Sequence, residues 1–216
     1  MTEHSISSCS KDDGVKPCTV TSISGILDNS LADYTEVGVS WDYGDTFVKT
    51  ATVSNQSFTI ELPTPPPSEL EEINGDFDEI PSSVKINISD KTAKVANLYL
   101  YAIKRIDSES STETIAVSIN YGAFSISSSG LMSLTGASYM YVDKNVTLSA
   151  SGKGNEDGMK FDANMNLNLK TGWNSVVTTM SGTFDIVAGT GNIKMSMLSG
   201  AVPSGLKWMG GSALPF

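Results

Sequence analysis

One histidine, one arginine and two cysteines are all that 216 residues provide, and each shortage removes a class of chemistry. Acyl transfer by a serine or cysteine nucleophile needs a base within hydrogen-bonding reach, usually histidine. The only histidine, His4, lies in a polar N-terminal tail. Cys9 and Cys18 lack the paired ligand spacing of a zinc site. Arg105 is the only arginine, and the formal charge is −10. Phosphate binding needs a basic face, so a nucleic-acid partner is excluded and an anionic membrane surface should repel the chain. No apolar run approaches the roughly 18 residues of a membrane helix. Helical periodicity is nearly absent as well.

Period-two alternation takes its place. In Phe161–Leu169, Phe161, Ala163, Met165, Leu167 and Leu169 point one way, and Asp162, Asn164, Asn166 and Asn168 the other. That is a strand with one wet face. Similar strands are expected at 20–27, 36–41, 46–53, 57–62, 84–88, 98–103, 114–121, 131–135, 138–142, 146–150, 175–179, 183–187 and 192–198, separated by turn residues such as Ser54-Asn55, Ser129-Gly130, Asp157-Gly158 and Thr171-Gly172. So many short strands avoid exposed edges by stacking two sheets or closing one. The expected fold is all-β, built of antiparallel sandwiches, with one large sandwich or barrel as the alternative. Residues 1–18 form a polar tail, 19–106 an N-terminal sandwich and 107–216 a larger C-terminal β domain. Charge divides unevenly: residues 1–90 hold 16 acidic against 4 basic side chains, and residues 91–216 hold 8 against 10.

Residues 63–81 break the pattern. Pro65-Pro66-Pro67 and a run of acids predict a long surface loop with one short helical turn, capped by Ser68 with Glu71 in the reciprocal position. Asn74, Asp76 and Asp78 alternate as oxygen ligands, and Asp42 with Asp45 makes a second small cluster. Calcium takes six to eight oxygens, of which such a loop supplies three or four. The glycine is misplaced for an EF-hand, so a solvated acidic loop is the first reading and a Ca2+ site the alternative.

Aromatic rings are the best candidate ligand-binding groups, because Tyr and Trp faces stack on sugar rings while their polar atoms stay hydrogen-bonded. Tyr99 and Tyr101 share one face of a strand, and Tyr139 and Tyr141 one face of another. If the two strands pair, the four rings form a ladder. Apolar residues on both faces of 98–103 favour instead a central strand with its tyrosines in the core. Trp41 sits at a strand end beside Tyr43 and Asp45, a stacking ring and an acceptor. Trp173 follows a turn and reads as a plug over a sandwich end. The Asn164, Asn166, Asn168 row offers amide donors and acceptors to a glycan or a neighbouring sheet, or simply keeps a solvent-facing strand polar. A glycoside hydrolase needs two carboxylates set across a sugar, and no spacing identifies a pair.

Ser8-Cys9-Ser10-Lys11-Asp12-Asp13 resembles the acylation site of a bacterial surface lipoprotein: a small residue, the cysteine, then the acidic signal of Bacteroidetes outer-membrane lipoproteins. Met1–Ser8 has neither the basic start nor the apolar stretch of a signal peptide, so the expectation is a lipoprotein address with its apolar part missing. Cys9 then carries the lipid, the alternative being a disulfide with Cys18. Residues 24–63, with Val37-Gly38-Val39-Ser40-Trp41 and the hairpin Lys49–Ile60, resemble the immunoglobulin-like or prealbumin-like modules of Bacteroidetes cell-envelope proteins. The resemblance implies fold and address, and brings no catalytic residues. Together these readings lead to the expectation of a non-enzymatic, lipid-anchored surface protein of the outer membrane that binds glycan or host protein. A fimbrial subunit assembling by strand exchange is the competing expectation.

Overall fold

The computed structural model describes residues 19–41, 46–73, 84–107, 112–127, 130–156, 158–185 and 190–210. Cys9, Cys18, Asp42, Tyr43, Asp45, Asn74, Asp76 and Asp78 lie outside them. The chain is all-β. Its strands are β1 (Ser22–Ile26), β2 (Glu36–Ser40), β3 (Lys49–Thr52), β4 (Ser57–Glu61), β5 (Glu71–Glu72), β6 (Lys85–Ile88), β7 (Lys94–Asn97) and β8 (Tyr99–Asp107), followed by β9 (Thr112–Ile126), β10 (Leu131–Val142), β11 (Val146–Glu156), β12 (Met159–Leu169), β13 (Gly172–Asp185), β14 (Thr190–Ser199) and β15 (Lys207–Gly210).

β1 and β4 form a two-stranded antiparallel sheet. The other strands make one open, mixed sheet in the order β3-β2-β8-β9-β10-β13-β14-β12-β11-β6, with β15 beside β9, β7 beside β10 and β5 beside β7. The barrel alternative fails because this path ends at β3 and β6 without closing. Among the described strands, β12 and β14 pair in parallel. The sheet runs unbroken across residue 106, since β8 pairs with β9, β6 with β11 and β7 with β10.

Two cores form on opposite faces of β10. In the first, Ile23 and Leu27 beside β4 residues Phe58 and Ile60 cover Val37, Val39, Leu100 and Ala102, and Trp208 joins them from β15. In the second, Leu148, Met165, Leu167, Leu169, Val142 and Val176 meet inside the curved C-terminal sheet. The alternation of β12 explains its place there: Met165, Leu167 and Leu169 are buried while Asn164, Asn166 and Asn168 are exposed. Each fully buried Leu or Ile contributes about 1.5–3 kcal/mol relative to exposure.

Residues 63–70 run as an irregular stretch with one short helical turn, and the differences from the expected surface loop are the cap and the part from Glu71 onward. The helical turn is a 3-10 turn at Pro67–Glu69, entered from Pro66 with no side-chain cap, and Ser68 lies inside it. Glu71 continues as strand β5 against β7, and Ile73 is buried with its N–H donated to the Ala93 carbonyl. Pro66 occupies the cap position and has no side-chain acceptor, and Ser68 is the second residue of the turn, where it cannot act as the cap.

Candidate functional site: two aromatic clusters and a polar sheet face

β2 ends at Ser40, and Trp41 follows on the end of the N-terminal layer. Its ring stacks on Trp173 with centroids 6.0 Å apart and planes 6° apart. Trp173 opens β13, directly opposite Tyr141 of β10, and the two rings meet edge to face at 5.6 Å. Trp173 is 5% exposed and donates its indole N–H to the Pro63 carbonyl at 2.9 Å. It is the plug that its position after a turn predicted. Trp41 and Tyr141 are half-buried, so one indole is packed and polar-satisfied while the ring stacked on it still reaches solvent. Aromatic pairs of this kind add about 0.5–1.5 kcal/mol beyond area burial, which fixes the outer ring without hiding it.

The backbone around Trp173 is tied down. Asn174 is buried, donates to the carbonyls of Lys170 and Gly172, and accepts from the Lys170 N–H. Gly172 has φ +104°, a conformation that L side chains rarely adopt. The turn that sets Trp173 in place is therefore specified by both residues.

The tyrosines do not form the ladder that the sequence allowed. β8 pairs with β2 and β9, and β10 with β9, β13 and β7, so a whole strand separates the two tyrosine pairs. Residues 100–103 are all buried, as a central strand requires, and Tyr101 packs edge-on against Phe47 at 5.7 Å. Tyr99 is half-buried on the same face, opposite Ser40. Tyr139 belongs to the second aromatic cluster, where Trp208 stacks with it at 6.4 Å and with Tyr121 at 4.7 Å, and meets Phe58 at 5.7 Å. Tyr121 and Phe58 alternate like ordinary strand residues in the sequence, and nothing local marks them as partners of Trp208.

Burial, aided by the neighbouring Tyr121, pushes the Tyr139 phenol above its ordinary 10.0, and burial raises Tyr121 as well. An unfolded tyrosine ionises first, so their contribution is complete below pH 10 and is lost as pH rises above it. Unfolding free energy should fall more steeply between about pH 9 and 11 in the wild type than in Tyr139→Phe, by about 1 kcal/mol at the upper limit. Parallel curves would assign the alkaline loss to other groups.

No carboxylate pair among the described residues faces a common cleft with raised pKa. Those of Asp28, Glu36, Glu61 and Asp90 are all held low, chiefly by hydrogen bonds from Ser30, Arg105, Lys49 and Thr92 respectively. Among the described residues there is also no group of three or more His, Cys, Asp and Glu placed to hold a metal. The remaining feature is the outer face of β11, β12, β14 and β13, where the Asn164 and Asn166 row is flanked by Ser149, Ser151, Ser196 and Thr179. No protein-family model, no curated protein and no solved structure matches this chain.

Proposed function

We propose that the protein is a non-catalytic surface binding module whose ligand is a glycan, stacked on Trp41. The observation that carries this reading is the solvent-reaching indole of Trp41 fixed on the buried, hydrogen-bonded indole of Trp173. A rigid flat ring at the end of a β-sandwich offers a sugar its apolar face at low entropic cost, because the side chain is ordered before binding. The Cys9 motif adds the address, a lipid anchor at the outer membrane. The test is a glycan array probed with the wild type and Trp41→Ala. Capture should fall at least tenfold in the variant, while the melting temperature drops by no more than a few degrees, since Trp41 is only half-buried. Equal capture by both proteins would remove Trp41 from the site.

A second reading, an assembly subunit, is favoured by one observation. On the inner face of the distal sheet, Phe124 is 37% exposed, and Met132, Met180, Ile193 and Phe161 are only half-buried. An apolar face left open in this way suits a strand or apolar segment from another chain. Silence across the array, combined with concentration-dependent multimers in sedimentation, would select it.

A further inference from the structure

The outer face of the C-terminal sheet carries charge opposite to the rest of the molecule. Strand register sets its residues in lateral rows: Asn155, Lys160, Asn192 and Thr183 in one, Lys153, Asp162, Lys194 and Ser181 in the next, and Lys85, Ser151, Asn164, Ser196 and Thr179 in a third. Nearly all of these side chains are exposed. Four lysines and two aspartates, Asp162 and Asp185, face this way, a balance of +2 on a chain of −10. Asp162 is engaged by Lys153 at 3.0 Å. Lys85, Lys160 and Lys194 form no ion pair with any described residue. Lys160 and Lys194 lie one strand and two residues apart, about 8 Å by strand geometry.

From this we infer a second binding surface, across β11, β12, β14 and β13, for an acidic polysaccharide bearing carboxylate or sulfate on its repeating unit. The inference rests on the reading of the chain as a glycan binder and adds a ligand class and a second place, six or more residues along the same face of β13 from Trp173, on which Trp41 stacks. Charge complementarity selects the anion. The surrounding amides and hydroxyls, each able to donate and accept, suit the sugar hydroxyls between the anions. A nucleic acid fits less well, because the three rows hold no aromatic ring on which a base would stack. An extended flat surface of this kind engages a chain over several units, with each lysine acting as a point charge.

Affinity electrophoresis of the full chain through polygalacturonate, alginate and heparin tests it, with dextran and duplex DNA as comparators. The wild type should be retarded by at least one acidic polysaccharide, less so as salt rises from about 0.05 to 0.3 M, and not by dextran through this face. The triple variant Lys85→Gln, Lys160→Gln, Lys194→Gln should bind at least tenfold more weakly, with its melting temperature unchanged because the side chains are exposed. The corresponding Lys→Arg triple should retain binding. Trp41→Ala should leave acidic retardation intact even if it loses every neutral ligand, so failure of the Trp41 platform and failure of this surface are separately visible. No retardation by any acidic polysaccharide, equal retardation of the Gln triple, or equal retardation by DNA would overturn the inference.

Discussion

Trp208→Ala should destabilise the protein more than any other single aromatic truncation, by about 3–5 kcal/mol. Trp208 is 2% exposed and reaches the N-terminal core from β15, near the C-terminal end of the described chain. It pairs across the sheet with Tyr121, and Leu27 bridges to it in parallel. Its ring lies between Tyr121 on one side and the β1–β4 layer on the other, flush on Gly25, where an added Cβ would strike the indole. Removing it opens a cavity between the β1–β4 layer and Tyr121, and the stacked rings of Tyr121 and Tyr139 lose their common partner. For a chain of this size each kcal/mol shifts the melting temperature by about 2–4 °C, so a fall of roughly 6–20 °C is expected by calorimetry. Trp208→Phe should cost less than half as much. The indole Nε1–H is buried with no hydrogen-bond partner among the described residues, and phenylalanine keeps a stacking ring without that orphaned donor. Equal losses in the two variants would mean that the cavity argument is wrong.

The second large effect is Gly182→Val. Gly182 lies in β13, between Met132 of β10 and Ile193 of β14. A Cβ added there would sit on the backbone carbonyl oxygen of Asn192. Backbone cannot rotate away as a side chain can, so β13 and β14 must separate or shift register, and a slip by one residue would turn Met195 and Ile193 from the inner to the outer face. A loss of about 2–4 kcal/mol is expected, read as a lower denaturant midpoint. Gly154→Val is an informative contrast, because the atoms nearest its Cβ belong to the ring of Phe161, a side chain able to move. If Gly154→Val proves the more damaging, strand separation at Gly182 is not the controlling factor.

These two sites show what was legible in the sequence. Strong alternation gave β12 nearly to the residue and assigned its wet face correctly. The linear pattern predicts two short strands in each of β10 and β13, because Gly136-Ala137 and Gly182 look like breaks in it. In the sheet, Gly136 is buried opposite Gly122, and both strands run on unbroken. β7 and β15 carry no clear alternation of their own, being four residues each and stabilised by partners far along the chain. The same limit governs the candidate site. Trp173 could be placed behind a turn, and Trp41 at a strand end, from local residues alone. That one stacks on the other is a consequence of β2 and β13 reaching the same end of the molecule, which only the sheet order determines. The tyrosine ladder failed for the same reason, since alternation fixes the face of a side chain and leaves its neighbouring strand open.

The direct measurement is a two-dimensional NMR titration of the indole N–H groups. The chain has three tryptophans and therefore three indole signals, assignable by comparison with Trp41→Ala. On addition of a glycan captured on the array, the Trp41 signal should move most and saturably, Trp173 beneath it less, and Trp208, buried in the neighbouring cluster, least. Saturable capture that moves none of the three, or moves Trp208 while leaving Trp41 in place, would contradict the proposal that Trp41 is the platform on which the ligand stacks.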